Sequence, residues 1–86
     1  MYKLYYTNRA KKDAQLIKTS NLKDKVEELL TLISENPYGY PPEFEFLKGD
    51  LKGAISRRIN KQHRLVYEVL EAEQAIKIMM IWTHYE

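Results

Sequence analysis

The stretch SRRINKQHRLVYEV, residues 56–69, decides the fold that this sequence predicts. Strand-forming residues flank the polar tetrapeptide NKQH at 60–63, a pattern typical of two strands joined by a turn. The same stretch carries three arginines, one lysine and one histidine. Because a strand holds side chains at fixed spacing on a chosen face, this much positive charge indicates a site rather than a means of staying in solution.

Residue parity divides the hairpin into two faces. The apolar side chains have odd numbers: Ile55, Ile59, Leu65, Tyr67 and Val69. They share one buried face if the connecting loop has an odd number of residues. Arg58 and Arg64 then fall together on the opposite, open face with Ser56, Val66 and Glu68. Arg57 stays on the apolar side, where we expect it to lie at an edge with its stem buried and its head in water.

Two amphipathic helices are predicted ahead of the hairpin. The first has apolar residues at i, i+4 and i+7, namely Ala10, Ala14 and Ile17. Thr7 or Asn8 is its expected cap. The second has one apolar stripe, formed by Leu22, Val26, Leu29, Leu30 and Ile33. We expect Ser20 or Asn21 to cap this second helix and Asn36-Pro37 to end it.

Three further strands complete the predicted sheet. YKLYYT (2–7) precedes the helices, FEFLK (44–48) follows the loop NPYGYPPE (36–43), and AIKIMMIWTHY (75–85) follows the hairpin. In the last strand we expect the alternating residues in the core: Ile76, Ile78, Met80 and Trp82. The order of elements predicts one α+β domain over residues 1–86, with two N-terminal helices packed on one face of a mostly antiparallel, twisted sheet of four to five strands.

Composition limits the class of protein further. The chain has 86 residues, of which 44% are hydrophobic and 30% charged, as is ordinary for a small globular domain. It has no cysteine and two histidines, which argues against disulfides and a zinc site. No apolar run has the length of a transmembrane helix, and the first residues lack the apolar core of a signal peptide. We therefore expect a cytoplasmic protein without a membrane partner.

Charge is unevenly distributed along the chain. The net charge of +2 is too small to indicate nucleic-acid binding by itself. Residues 48–64, however, carry six lysines and arginines against Asp50 alone, whereas residues 68–73 carry three glutamates and no base. A basic patch on the middle strands would attract an anionic partner, and a basic hairpin that is merely solvated fits the charges equally well.

Four motifs, in this order and spacing, resemble those of one known family: EFLKGDLKG (45–53), SRRI (56–59), HRLVYEV (63–69) and HY (84–85). Together they resemble the Txe/YoeB toxins of the RelE superfamily, the toxin halves of bacterial toxin–antitoxin pairs. The resemblance implies a RelE-like fold, related to that of microbial ribonucleases. It also implies an endonuclease that enters the aminoacyl site (A site) of a translating ribosome and cuts the exposed mRNA codon.

The resemblance implies roles for single residues as well. The general base of the family corresponds to Glu45, its transition-state arginine to Arg64 and its general acid to His84. Its supporting positions correspond to Lys48, Arg58 and Tyr85.

These residue types suit RNA cleavage without a metal or cofactor. The reaction requires a base for the proton of the 2′-OH, an acid for the leaving 5′-oxygen, and cations for the charge that builds on the phosphate. The guanidinium group of arginine fits the last task because it donates two parallel hydrogen bonds. Glu43 lies two residues from Glu45 on the same strand face, so the sequence leaves open which of the two carboxylates is placed in the site.

Partners and alternatives follow from the same resemblance. It implies a YefM-like antitoxin whose disordered C-terminal segment folds onto the toxin, together with the ribosome and mRNA as targets. Self-association into a homodimer is left open. Two other functions are weighed against the nuclease: a gyrase-inhibiting toxin of the ParE type on a similar fold, and a non-catalytic RNA-binding module whose basic patch only holds phosphates.

Overall fold

The computed structural model describes residues 1–83, so His84, Tyr85 and Glu86 lie outside the described residues. The α-helices and strands are β1 (Lys3–Tyr6), α1 (Asn8–Lys18), α2 (Lys23–Glu35), β2 (Phe44–Phe46), β3 (Ile55–Arg58), β4 (Arg64–Leu70) and β5 (Ala75–Thr83). The strands form one sheet in the order β1-β5-β4-β3-β2, in which β1 is parallel to β5 and the other neighbours are antiparallel. The predicted α+β class and the mostly antiparallel sheet are confirmed.

The hairpin of β3 and β4 has the predicted register. Arg58 pairs with Arg64 and Ile55 with Tyr67, because the loop at 59–63 has an odd number of residues. Asn60 closes this loop, since its Oδ1 accepts hydrogen bonds from the backbone N–H groups of the second and third residues after it. Such a turn fixes the relative position of the two strands, and hence of the two arginines.

Both helices cover one face of the sheet and form the main core with it. Its buried members include Ala10 and Ile17 of α1, Leu29 and Ile33 of α2, and Tyr67 of β4. The apolar stripes predicted from a period of 3.6 residues thus face the sheet. In residues 1–83, neither helix has the length and apolar character that crossing a membrane requires.

The two helix starts differ in how well the sequence predicted them. Thr7 caps α1 as expected, with its Oγ1 accepting a hydrogen bond from the backbone N–H of Ala10 at 3.1 Å. The cap predicted for α2 was wrong, because Leu22 occupies that position without a side-chain hydrogen bond. Ser20 instead donates to the carbonyl of Ile17 at 2.9 Å and accepts from the N–H of Leu22, which joins the end of α1 to the start of α2.

A second, smaller apolar cluster lies on the face that the helices leave uncovered. Leu47, Ala54 and Val66 are its buried members, and Met79 and Met80 pack against them. Val66 was expected on an open face, but it is fully buried. The segment between β2 and β3, which supplies Leu47 and Ala54, therefore covers part of this face.

The pairing of β4 with β5 is irregular at Met79 and Met80. Tyr67 pairs with Ile78 but Val66 pairs with Met80, so β5 advances two residues while β4 advances one. The extra residue changes which side chains face the core. The prediction that Met80 shares the core with Ile78 was therefore wrong: Met80 packs on the second cluster and Ile81 enters the main core. The side chain of Trp82 lies outside the described part.

Helix α1 supplies the hydrogen bonds that this irregular stretch of β5 needs. Asp13, which is 7% exposed, accepts the backbone N–H of Ile81 on its Oδ2 at 3.0 Å. Thr7 donates its hydroxyl to the carbonyl of Met79 at 3.0 Å. Arg9 lies 3.6 Å from the Asp13 carboxylate and partly balances its charge. The path of β5 toward residue 83 is thus fixed from α1.

Replacing Asp13 by alanine is expected to loosen the end of β5. The N–H of Ile81 would lose its partner in a buried position, which costs about 1–3 kcal/mol of the free energy of unfolding. Urea denaturation measures this loss, and the amide of Ile81 should exchange its hydrogen faster than in the wild type. Asp50→Ala, at an exposed position in the turn Gly49–Leu51, should change stability by less than about 0.5 kcal/mol. Equal stabilities of the two variants would contradict this account.

Candidate functional site

A cleft with a volume of about 470 Å³ lies where β2, β3 and β4 run side by side on the face opposite the helices. Its lining consists of Pro42, Glu43, Phe44, Glu45, Ser56, Arg58 and Arg64. Three of the predicted site residues, Glu45, Arg58 and Arg64, are thereby brought together. The cleft has carboxylates along one wall and guanidinium groups along the other.

The sheet fixes where these side chains start. Glu45 is the Cα partner of Ser56 across β2 and β3, and Arg58 is the partner of Arg64 across β3 and β4. Ser56 and Arg58 share a face because they are two residues apart on one strand. Four side chains from three adjacent strands thus face the same cleft, as the parity of the hairpin predicted for the arginines.

The charges in the cleft are not paired with one another. Within residues 1–83, no salt bridge involves Glu45, Arg58 or Arg64. Arg64 is half-buried and makes one long hydrogen bond, from its Nη1 to the carbonyl of Asn60 at 3.5 Å. Glu45 and Arg58 are exposed. Their charged groups are therefore available to a ligand, which argues against the simple surface ion pair that such residues often form.

Glu43 and Glu45 both line the cleft, but they are held differently. Glu45 is the central residue of β2 and is fixed by the ladder to β3. Glu43 precedes the strand, at the end of the loop that follows α2. The carboxylate with the better-defined position is thus that of Glu45.

Lys48 is not part of the cleft lining formed by the described residues. It is exposed and stands directly before the turn Gly49–Leu51, next to Leu47, whose burial in the second cluster anchors the segment. His84 and Tyr85 lie outside the described residues. The last described residue before them, Thr83, is the Cα partner of Arg64.

Arg57 is where the structure departs most from the sequence analysis. We expected its head to reach water at an edge of the sheet, but the whole residue is fully buried on the helix side. Its Nε donates to the hydroxyl of Tyr67 at 2.8 Å, and the guanidinium carbon lies 4.7 Å from the centre of the Phe44 ring. A cation this deep requires strong acceptors on all sides.

The remaining acceptors are backbone carbonyls of the loop between α2 and β2. Arg57 donates from Nη1 to Pro42 at 2.6 Å, and from Nη2 to Gly39 at 2.8 Å and Pro37 at 3.2 Å. In the described chain, no carboxylate forms a salt bridge with it. The loop therefore surrounds the guanidinium group of Arg57. Because Pro42 belongs both to this loop and to the cleft wall, the contact with Arg57 also positions the wall.

Tyr67 completes this arrangement from β4. Its hydroxyl accepts from Arg57 and donates to the carbonyl of Pro37 at 2.7 Å. Burial raises the pKa of the Tyr67 phenol, and the adjacent guanidinium offsets part of that rise. The phenol is thus neutral at pH 7 and keeps the proton that it donates. On the outer side of the same loop, Tyr38 donates its hydroxyl to Glu71 at 3.1 Å.

Sequence reasoning gave no role to two contributors to the site. Ser56 was placed on the open face with Arg58 and Arg64; it forms part of the cleft floor, but it is 3% exposed and therefore buried. The loop-holding role of Arg57 had one signal, its odd position among apolar neighbours. The carbonyls that satisfy it have no signature of their own in the sequence.

Comparison with known proteins gives a family and a fold. Residues 5–85 match the family model described as YoeB-like toxin of bacterial type II toxin-antitoxin system. A curated protein named Toxin YoeB, from Synechocystis sp., is 36% identical over 74 residues, which cover 86% of this chain and 77% of that protein.

Solved structures resemble the whole described fold. A YoeB/ParE toxin from Agrobacterium tumefaciens has a TM-score of 0.88 at 29% identity, and the match covers 96% of this chain and 99% of that one. A YoeB-YefM complex from Staphylococcus aureus has a TM-score of 0.83 at 34% identity, with 99% of each chain covered. These likenesses extend over both helices and the sheet.

Replacing Arg57 by methionine is expected to destabilise the protein strongly. The variant keeps an unbranched apolar stem, but the carbonyls of Pro42 and Gly39 lose their donor in a partly or fully buried setting. The free energy of unfolding should fall by about 3 kcal/mol or more, as measured by urea denaturation. Arg58→Met is the matched control, because this neighbour is exposed on the opposite face, and it should change stability by about 0.5 kcal/mol at most. Similar losses for both variants would show that the buried hydrogen bonds do not hold the loop.

Proposed function

This chain belongs to the YoeB-like toxins of bacterial type II toxin–antitoxin systems, and on that basis we propose that it is a ribosome-dependent endoribonuclease. It would cleave mRNA in the A site of the ribosome and thereby stop translation. The observation that supports this proposal is the cleft, in which Glu45 faces Arg58 and Arg64 without an ion pair between them. A ribosomal target also implies action in the cytoplasm.

The proposed reaction is attack of a 2′-OH on the adjacent phosphate. Glu45 takes the proton of the 2′-OH as its oxygen forms a bond to phosphorus, and the bond from phosphorus to the 5′-oxygen breaks. His84 gives a proton to that leaving oxygen. The products are a 2′,3′-cyclic phosphate on one fragment and a 5′-OH on the other.

The protein can lower the activation barrier mainly by stabilising the negative charge that builds on the phosphate. Arg58 and Arg64 start from paired positions on adjacent strands, so both guanidinium groups can donate hydrogen bonds to one phosphate. Lys48 and Tyr85 are proposed as supporting residues, the first as a further cation and the second as a stacking or orienting group for the nucleotide. The acid, base and cations come from side chains, so the proposed steps use no metal or cofactor.

The requirement for a ribosome follows from the openness of the site. A cleft on the surface of a sheet, lined by a few exposed side chains, restrains a flexible RNA strand only weakly. Bringing the 2′-oxygen into line with the leaving group accounts for much of the rate of such reactions. We infer that the ribosome holds the mRNA in that geometry while the toxin supplies the acid, base and cations.

A YefM-like antitoxin is the proposed partner that silences this activity. The related protein from Staphylococcus aureus is found in a YoeB-YefM complex. In the present chain, the cleft with Arg58 and Arg64 offers positive charge to an acidic, disordered segment that orders on binding. Whether the chain also forms a homodimer is decided by light scattering of the purified protein.

Replacing Glu45, Arg64 or His84 by alanine should slow mRNA cleavage on programmed ribosomes by about 100- to 10,000-fold each. The expected reason differs among the three variants: loss of the base, of charge stabilisation and of the acid. Single-turnover cleavage of a defined mRNA measures the rates. Glu73→Ala and Lys61→Ala remove charges from exposed positions outside the cleft lining and should cleave like the wild type.

Glu43→Ala tests which carboxylate is the base. We expect a loss of less than about tenfold, because Glu43 is not held in the strand ladder. No cleavage by wild-type protein, combined with inhibition of DNA supercoiling, would replace the proposal by a ParE-like activity. Tight RNA binding with the RNA left intact would favour the non-catalytic binding module.

The YefM-like antitoxin, which we expect to be encoded by a small reading frame directly upstream of the one for this chain, should bind the chain and abolish cleavage. Because the contact is electrostatic in part, affinity should fall as salt is raised. Arg58→Glu should weaken binding at least tenfold in calorimetric titration, whereas Lys3→Glu, on the opposite edge strand, should leave it unchanged. Equal affinities of both variants would place the antitoxin away from the cleft.

A further inference from the structure

The hydroxyl of Ser56 is buried without a hydrogen-bond partner in residues 1–83. The residue is 3% exposed, and its Oγ makes no hydrogen bond among the residues that the structure describes. Buried polar atoms in folded proteins are nearly always paired, and an unpaired one destabilises the fold. Ser56 nevertheless lines the cleft, on the same sheet face as Glu45, so a ligand bound there lies over this residue.

The neighbours of Ser56 define what that ligand must be. Glu45 is its cross-strand partner and Arg58 lies two residues further along the same strand face. Paired residues in a sheet have their Cβ atoms about 5 Å apart, so Ser56 starts beside Glu45, and Arg58 starts about 7 Å further along the same face of the strand. Ionised glutamate only accepts hydrogen bonds and arginine only donates them. A ligand that fits between them has a hydroxyl group next to an anionic oxygen, as a ribose 2′-OH has next to its phosphate.

We propose that Ser56 is a further catalytic residue, whose Oγ–H donates a hydrogen bond to a non-bridging oxygen of the scissile phosphate. This inference rests on the proposed ribonuclease function and deepens it. Arg58 and Arg64, which pair at the loop end of the β3–β4 hairpin, approach the phosphate from that end, and Ser56 approaches it from the floor of the cleft. The non-bridging oxygens gain negative charge during the attack, so a donor fixed beneath them stabilises the transition state more than the ground state.

The hydroxyl is well suited to this task because no other described residue forms a hydrogen bond with it. It needs no rearrangement of an existing hydrogen bond before it can bind the phosphate. Its Cα is held between β2 and β4, in the middle of the ladder, so its position is set by the most regular part of the site. Ser34 is a contrasting case, since this buried serine donates its hydroxyl to the carbonyl of Thr31 at 2.7 Å.

Ser56→Ala and Ser34→Ala are therefore expected to have opposite effects. Ser56→Ala should cleave mRNA on programmed ribosomes about 10- to 100-fold more slowly, through kcat with KM nearly unchanged, because one hydrogen bond to a charged group is lost. Its midpoint of urea denaturation should equal or exceed that of the wild type, since no hydrogen bond of the free protein is removed. Ser34→Ala should have a lower midpoint and wild-type cleavage. Ser56→Thr, which keeps a hydroxyl on a strand-compatible side chain, should recover most of the activity.

A phosphorothioate at the scissile position tests the contact itself. One of the two diastereomers puts sulfur, a weaker acceptor, opposite Ser56, so it should slow the wild type more than it slows Ser56→Ala. Wild-type rates from Ser56→Ala, or equal sulfur effects in both proteins for both diastereomers, would overturn the role of Ser56 while leaving the ribonuclease in place. Failure of the wild type to cleave any mRNA on ribosomes would overturn the ribonuclease, and the role of Ser56 with it.

Discussion

The buried guanidinium of Arg57 is the constraint from which the shape of the site follows. Its charge is far from water and has no carboxylate partner among the described residues, so its stability depends on the phenol of Tyr67, three loop carbonyls and the face of Phe44. Removing any of these groups would leave the guanidinium poorly compensated for its burial and would lower the free energy of unfolding. The loop after α2 consequently has little freedom, although it contains no helix or strand of its own.

Two adjacent arginines of β3 thus have opposite tasks because neighbouring strand residues point to opposite faces. Arg57 points toward the helices and shapes the loop that forms one wall of the cleft. Arg58 points into that cleft, opposite Arg64. A shift of β3 by one residue would exchange the faces of the two side chains. Arg57 would then leave the loop carbonyls, and the wall of the cleft that the loop forms would lose its support. The same backbone register therefore couples the stability of the fold to the charge of the site.

Much of this arrangement was predictable from the sequence, and the exceptions share a cause. The period of two in the hairpin predicted that Arg58 and Arg64 would share one face, and the period of 3.6 predicted both helices and their buried faces. Those patterns are repeated over many residues. The burial of Arg57 depends on carbonyl groups, which every residue has. The shift at Met79 and Met80 is one of two in the pairing of β5 with β4, and the carboxylate that accepts the backbone N–H of Ile81 comes from Asp13, 68 positions away. Such contacts arise only in the folded chain, so no local pattern predicts them.

The cleft combines several features that a small domain would lack if stability alone determined its sequence. Glu45, Arg58 and Arg64 keep their charges without salt bridges within residues 1–83, and the hydroxyl of Ser56 is buried without a partner there. The buried hydroxyl is unfavourable for the free protein, whereas Glu45 and Arg58 are exposed and solvated by water. The opposite face of the sheet is packed with aliphatic side chains. A ligand that accepts from the guanidinium groups and the hydroxyl, and donates to the carboxylate, would satisfy all of them together. The imbalance between the two faces of the same strands is thus a physical argument in favour of the proposed binding of an anion that carries a hydroxyl group.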